Sequence, residues 1–242
     1  MRRVGPNVIR PLSPHSASLR RLLRYIRANG FVEGPDVIEV DCAVGTETLT
    51  FLEGETTNYP LADAFRTDRA LTSAASLLRR FHEATKGFEA LPDDHWFLPP
   101  QTPIEVMCHG DFAPYNCVMN HGEVTGVFDF DIAHPGPRLW DVGYAAYRWA
   151  PLSKQSNPGG FGTVTQQRRR LQLFCDAYGS EDILGVVVAA QQRLGVLVET
   201  IRTLASTGHA AFAQHIAEGH DQLYIADIAY LREHEAFLAE QT

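Results

Sequence analysis

His109-Gly110-Asp111-Phe112-Ala113-Pro114-Tyr115-Asn116 and, further on, Val127-Phe128-Asp129-Phe130-Asp131 form the stretch on which the reading of this chain turns. Between them, Cys117 to Met119 and Val124 to Phe128 are short runs of strand-forming residues around Asn120-His121-Gly122-Glu123, which reads as a β-hairpin. A hairpin there returns the chain beside the loop and delivers Asp129 at the end of an apolar strand. Gly110 allows close backbone approach, and Pro114 stiffens the loop. A lone Asp in a turn is ordinarily a cap, and Asp129 and Asp131 taken singly could be caps of the next element. The informative feature is the conjunction of loop spacing, a hairpin-length gap and an acid at a strand end.

The spacing His109-x-Asp111-x-x-x-x-Asn116 equals that of the loop that catalyses phosphoryl transfer in kinases. That chemistry asks for an aligned hydroxyl and for cations against the triphosphate charge. Asp111 would accept the proton of the attacking hydroxyl. Asn116 offers a neutral oxygen and Asp129 an anionic one, the hard donors that Mg²⁺ favours.

Outward from this strip the chain divides unevenly. Val8-Ile9-Arg10 is a short strand ended by Pro11, and 16–29 is a helix with Leu19, Leu22, Leu23 and Ile26 on one face. Residues 37–40 and 46–52 are strands separated by a turn at Val44-Gly45. From Leu61 the pattern becomes helical, 92–103 is irregular, 104–131 holds strands, and 138–240 is mainly helical. The fold class is α+β: residues 1–55 form a reduced N-terminal lobe and linker, and 56–242 a helical lobe with an embedded β-hairpin.

With 242 residues, 45% of them hydrophobic, the chain can bury a sizeable core. The net charge of −8 speaks against a nucleic-acid partner. No uninterrupted apolar run of membrane-spanning length stands out, and two arginines at the N-terminus lack the apolar stretch of a secretion signal, so a cytoplasmic protein is expected. Cys42, Cys108, Cys117 and Cys175 are expected to be free thiols. Cys108 and Cys117 with His109 and His121 match no common zinc spacing.

His109 to Asn116 resembles the catalytic loop of aminoglycoside phosphotransferases and the related choline and homoserine kinases. Residues 127–143, through Asp141, resemble that family's metal-binding segment and following helix start. Weaker likeness covers Leu78 to Thr85, Leu49 to Glu55 and Val8 to Pro11. The resemblance implies a bilobal protein-kinase-like fold with ATP or GTP and Mg²⁺ between the lobes. It implies Asp111 as base, Asn116 and Asp129 as metal ligands, and main-chain groups near Phe51 facing the nucleobase. His109, Asp131 and Asp141 would support the loop.

The family has two strands and a phosphate-covering glycine-rich loop before the strand that carries its lysine. Here no such loop precedes Arg10, and the only lysines are Lys86 and Lys154, so Arg10 takes the lysine role. The 16–29 helix has no Glu to pair with it. Acceptors would bind against the C-terminal helices, where Asp176, Glu199 and Asp221 could line an amine-attracting cleft and Tyr224 could stack on a ring. Arg193 and Arg202 read as helix ion pairs near Glu199. The expected activity is transfer of a nucleotide γ-phosphate to a small, amine-bearing hydroxyl compound. The alternatives are a pseudoenzyme that binds without turnover and a kinase that tailors peptides.

Overall fold

The computed structural model describes residues 1–240. The N-terminal sheet has four antiparallel strands in the order β1-β2-β4-β3. They are β1 (Arg2–Val4), β2 (Asn7–Pro11), β3 (Val37–Asp41) and β4 (Thr46–Thr50), with helix α1 (Ser16–Ala28) between β2 and β3. β1 was not anticipated from sequence. It pairs with β2 through a turn at Gly5-Pro6, where Gly5 has φ +58°. One strand therefore precedes the Arg10 strand, and Pro11 closes it from within its last pair with Thr46. In β4 the side chains alternate, and Glu47 and Leu49 are the buried ones. The β2–β4 register sets Arg10 directly opposite Glu47. α1 buries Leu19, Leu22, Leu23 and Ile26 as its spacing requires.

The linker after β4 is fastened to the second lobe. Glu55 and Met119 exchange main-chain hydrogen bonds of 2.9 and 2.8 Å. A side chain at Gly54 would meet the Met119 carbonyl and Val118 within about 3.1 Å, so only glycine fits this crossing.

The larger lobe begins with α2 (Asp68–Ala84), whose start is capped by the Thr67 hydroxyl. Two small ribbons follow. Strand β5 (Val106–Cys108) pairs with β8 (His134–Gly136), and β6 (Cys117–Asn120) with β7 (Glu123–Val127). The second ribbon is the hairpin read from the sequence. Five helices complete the lobe: α3 (Arg138–Trp149), α4 (Val164–Tyr178), α5 (Ile183–Ser206), α6 (Ala210–Ala217) and α7 (His220–Ala239). One continuous apolar core runs from Leu19 of α1 through Phe81 and Phe130 to Leu238 of α7.

α5 has 24 residues, and an 18-residue stretch of it reaches a mean hydropathy of 1.3, enough to match a membrane span by length and composition although Gln191-Gln192-Arg193 interrupts its apolar run. In the fold it packs against α3 and α7, with the buried Arg193 midway along it. The approach to α3 is close: a Cβ on Gly143 would lie 2.6 Å from the Ala190 nitrogen. All four cysteines are free, and among the described residues no group of three His, Cys, Asp or Glu side chains is placed to hold a metal.

Candidate active site

The loop 109–116 is held from below by one buried carboxylate. Asp141, in the first turn of α3, accepts from the main-chain nitrogens of His109 at 2.7 Å and Gly110 at 2.9 Å. It also accepts from His82 Nε2 of α2 at 3.0 Å. Burial alone would raise this carboxyl, but the donors from His82 and His109 outweigh it and hold it down at about 2. Burial pulls His82 below its ordinary value, so its ring is neutral, donates from Nε2 and accepts the Tyr178 hydroxyl at Nδ1, 2.7 Å away. The chain Tyr178–His82–Asp141–loop thus ties α4, α2 and α3 to two consecutive amides. Gly110 has φ +83°, and a Cβ there would sit 2.7 Å from the Ile132 carbonyl.

His109 is fully buried and accepts from the Asp111 nitrogen at Nδ1, 3.3 Å away. That fixes the proton on Nε2, which donates to the Phe128 carbonyl at 3.0 Å. The Phe128 nitrogen donates back to the Asn116 carbonyl at 2.9 Å. The loop and the segment at the end of β7 are therefore stitched together around one imidazole.

Both oxygens of Asp111 are oriented. Oδ1 accepts the Tyr115 hydroxyl at 2.6 Å, and Oδ2 accepts Asn116 Nδ2 at 2.9 Å. With Nδ2 of Asn116 committed to Asp111, its Oδ1 is the atom left for a cation. Asp129 follows β7 with φ +62°, a conformation that non-glycine residues adopt uncommonly. The residue is exposed, yet partial loss of solvent together with the charges of Asp131 and Asp111 pushes its carboxyl above the usual carboxylate range. Crowded carboxylates beside a free amide oxygen are a donor set that suits Mg²⁺.

Across the cleft, Arg10 donates from Nε to Glu47 at 2.8 Å and from Nη1 to Asp131 at 2.5 Å. Glu47 also receives Arg20 at 3.0 Å and the Ser16 hydroxyl at 3.3 Å. The acid that partners Arg10 thus comes from β4 and not from the helix. Its sequence signal was a charged residue on the inward face of an alternating strand. Phe51 lies at the linker beneath the Arg3 guanidinium, 3.7 Å from its ring centre. Its nitrogen donates to the Pro6 carbonyl at 2.7 Å, so this amide faces the β1–β2 turn and not an open cleft.

On the other side of Asp111 is a cavity of about 180 Å³. Tyr115, Tyr144, Tyr224 and Arg193 line it, and His215, His220 and Phe212 stand at α6 and the start of α7. Tyr224 is where the sequence placed it. Asp176, Glu199 and Asp221 are not. Asp176 is exposed on α4 and accepts Gln172, and Glu199 borders a different recess beside Phe97 and Leu98. Asp221 is paired with Arg202 at 2.7 Å. The helical phases of α4, α5 and α7 turn these acids outward or into ion pairs, so the expected carboxylate-lined acceptor cleft is absent. Arg193 also differs from its reading as a helix ion pair: it donates to the Gly110 carbonyl at 3.0 Å.

Sequence reasoning missed Arg148 of α3. It donates to the Tyr144 hydroxyl at 3.1 Å and to the Tyr224 hydroxyl at 2.9 Å. Its guanidinium also lies within 6 Å of the rings of Tyr59, Tyr115 and Tyr147. Burial opposes its charge, but the surrounding tyrosines more than offset this and its proton is held tightly. Nothing local marks Arg148, because the five tyrosines come from four separate segments.

Comparison with known proteins agrees with this geometry. Residues 93–158 match the model of the phosphotransferase enzyme family, APH. The chain is 30% identical over 186 residues to a trifolitoxin immunity protein of Rhizobium leguminosarum bv. trifolii, an alignment covering 73% of this chain and 69% of the other. The chain belongs to the family of that immunity protein and carries an APH phosphotransferase segment within it. Its fold is shared with a choline/ethanolamine kinase family protein from Mesorhizobium loti, at TM-score 0.59 and 17% identity over 96% of this chain and 88% of that one. It is also shared with a Streptomyces rimosus aminoglycoside phosphotransferase solved with ADP and streptomycin, at TM-score 0.53 and 12% identity over 76% and 86%. This family member therefore has the bilobal architecture that the 107–143 strip implied.

Proposed function

We propose that the protein transfers the γ-phosphoryl group of ATP or GTP to a hydroxyl of a small molecule. The observation that carries this reading is the state of Asp111. Its carboxylate is oriented by Tyr115 and Asn116, set on a loop braced by Asp141, and borders a cavity large enough for a hydroxyl compound. Asp111 would take the proton as the acceptor oxygen bonds to phosphorus and the nucleoside diphosphate leaves. Asn116 Oδ1 and the Asp129 carboxylate would hold Mg²⁺, which supplies neutralisation of the triphosphate charge. Arg10 would lie on the nucleotide side, where its Nη2 remains for phosphate.

The test is nucleotide turnover against a panel of hydroxyl acceptors, with and without Mg²⁺. Asp111→Asn should lower turnover by roughly 10²–10⁴-fold, the usual worth of a general base, with an unchanged melting temperature. Equal turnover in the variant would sink the assignment.

A second reading is a binder without turnover. It is favoured by the engagement of Arg10 with two acids and of the Phe51 amide with Pro6. The relationship to a toxin immunity protein suits either neutralisation of a toxin by phosphorylation or its sequestration. A Mg²⁺–nucleotide complex that fails to raise the melting temperature supports the binder, because any ligand that prefers the native state stabilises it.

A further inference from the structure

We propose that the cavity beside Asp111 selects a compact hydroxyl acceptor that carries an anionic group, and rejects ammonium-bearing compounds. This rests on the assignment of the cavity as the acceptor site and names its chemistry.

Charge is the first argument. Asp111 is the single carboxylate among the lining residues described. Arg193 is 2% exposed and has no carboxylate within ion-pair distance among the described residues. A buried guanidinium without a counter-ion is costly, and that cost falls when an anion enters beside it. The rings of His215 and His220 face the same space, where burial and the neighbouring ring of His220 hold His215 below its ordinary value. The acids nearby are already engaged: Asp221 with Arg202, Glu218 with His220 at 3.4 Å, and Asp227 with the Tyr147 hydroxyl and Asn157.

Hydrogen-bond direction is the second argument. Arg193 uses Nη2 on the Gly110 carbonyl, while its Nε–H, fully enclosed, has no partner. Arg148 donates into the Tyr224 hydroxyl, occupying a lone pair there and leaving the Tyr224 proton to point elsewhere. The Tyr224 O–H is therefore a donor open to an occupant. An ammonium group brings a second positive charge beside Arg193, whose own charge has no carboxylate partner. A carboxylate or phosphate offsets that charge and can accept the Tyr224 proton.

Size is the third. A volume of about 180 Å³ is below the ~300 Å³ at which drug-sized pockets begin. A large polycation does not fit inside, whereas one substituted ring does. The tyrosine walls suit such a ring.

The experiment uses a matched pair on one phenolic body, 4-hydroxyphenylacetate and tyramine, with the full-length protein. Binding is read by calorimetry and thermal shift without nucleotide, then with Mg²⁺–ATP, and phosphoryl transfer is followed separately. The acid should bind at least about 10-fold more tightly than the amine, equal to about 1.4 kcal/mol, and ATP should not displace it. Arg193→Met should erase that preference. Should this variant lose its fold by circular dichroism, Tyr224→Phe, which removes one donor, should reduce the preference several-fold. Equal or tighter binding of tyramine overturns the proposal, as does absence of acid binding at millimolar concentration or displacement of the acid by ATP. Acid binding without phosphoryl transfer leaves the proposal standing and overturns the kinase reading. Transfer to the amine alone does the reverse.

Discussion

The two sides of the cavity meet at Asp111 but are assembled from different kinds of sequence. The loop side, residues 109–141, is contiguous, and its geometry is enforced by main-chain hydrogen bonds to His109, Asp141 and the hairpin. The opposite wall draws Tyr144 from α3, Arg193 from α5 and Tyr224 from α7, with Arg148 holding the two tyrosine hydroxyls from behind. Contiguous backbone sets the loop side, whereas scattered side chains set the wall. The two sides touch at only a few contacts, the Arg193 bond to the Gly110 carbonyl and the approach of Tyr115 to Tyr144 among them.

That contrast breaks first at Asp141. Asp141→Asn keeps the shape but replaces one acceptor oxygen with an amide nitrogen facing N–H donors. A buried N–H donor from His82 or the loop then lacks an acceptor, and a loss of about 2 kcal/mol is expected for leaving such a group unsatisfied. Urea denaturation measures it; a loss under about 1 kcal/mol would mean the brace is dispensable. The wild type should show the same contact through pH. A carboxyl held at about 2 when folded, against an ordinary 3.8, favours the folded state above the unfolded value. That contribution, about 2 kcal/mol for this difference, is lost as pH falls from about 4 towards 2. Asp141→Asn should flatten that part of the stability curve; an unchanged acid limb would show that other carboxylates set it.

The sheet gives the next effect. Glu47 is buried and collects Arg10, Arg20 and Ser16. Glu47→Gln leaves two guanidinium groups undercompensated, and a cost of about 2 kcal/mol is expected. Because Arg10 also reaches Asp131, the variant should weaken nucleotide binding as well. Unchanged nucleotide affinity with reduced stability would confine Glu47 to the sheet.

How far the sequence could be read follows the same division. The 16–29 helix and the hairpin were legible because each is a local pattern, a 3.6-residue apolar stripe and two short runs of strand formers around a turn. β1 was not, since three polar-flanked residues ending in Gly5-Pro6 carry no periodicity and become a strand only by pairing with β2. The acceptor wall was misread for a related reason. Acids on C-terminal helices were expected to face the cleft, but helical phase relative to a distant loop is a tertiary quantity. In the fold it turned Asp176 and Glu199 away and brought in Arg193 and Arg148. A buried Arg without a local acid partner is the one trace such a wall leaves in sequence, and it is faint, because arginine usually marks solvent.

The smallest effect expected is also the sharpest probe of the boundary. Tyr115 belongs to the loop motif, yet its hydroxyl reaches both ways: it donates to Asp111 Oδ1 at 2.6 Å and lies 3.3 Å from the Tyr144 hydroxyl, which Arg148 holds. Tyr115→Phe keeps the ring and its edge contact with Tyr59. It removes one hydrogen bond to a carboxylate, a contact worth about 1.5 kcal/mol. If Tyr115 only aims the base, turnover should fall about 10-fold while nucleotide KM and acceptor KM stay within error and stability drops by no more than about 1.5 kcal/mol. If the hydroxyl transmits the positive field of Arg148 to the acceptor, acceptor KM should rise as well. Turnover as low as that of Asp111→Asn would make the tyrosine part of the base itself and erase the division between the two sides. Undiminished turnover would instead show that Asn116 and the braced backbone suffice to aim Asp111, leaving the tyrosine to serve the acceptor wall alone.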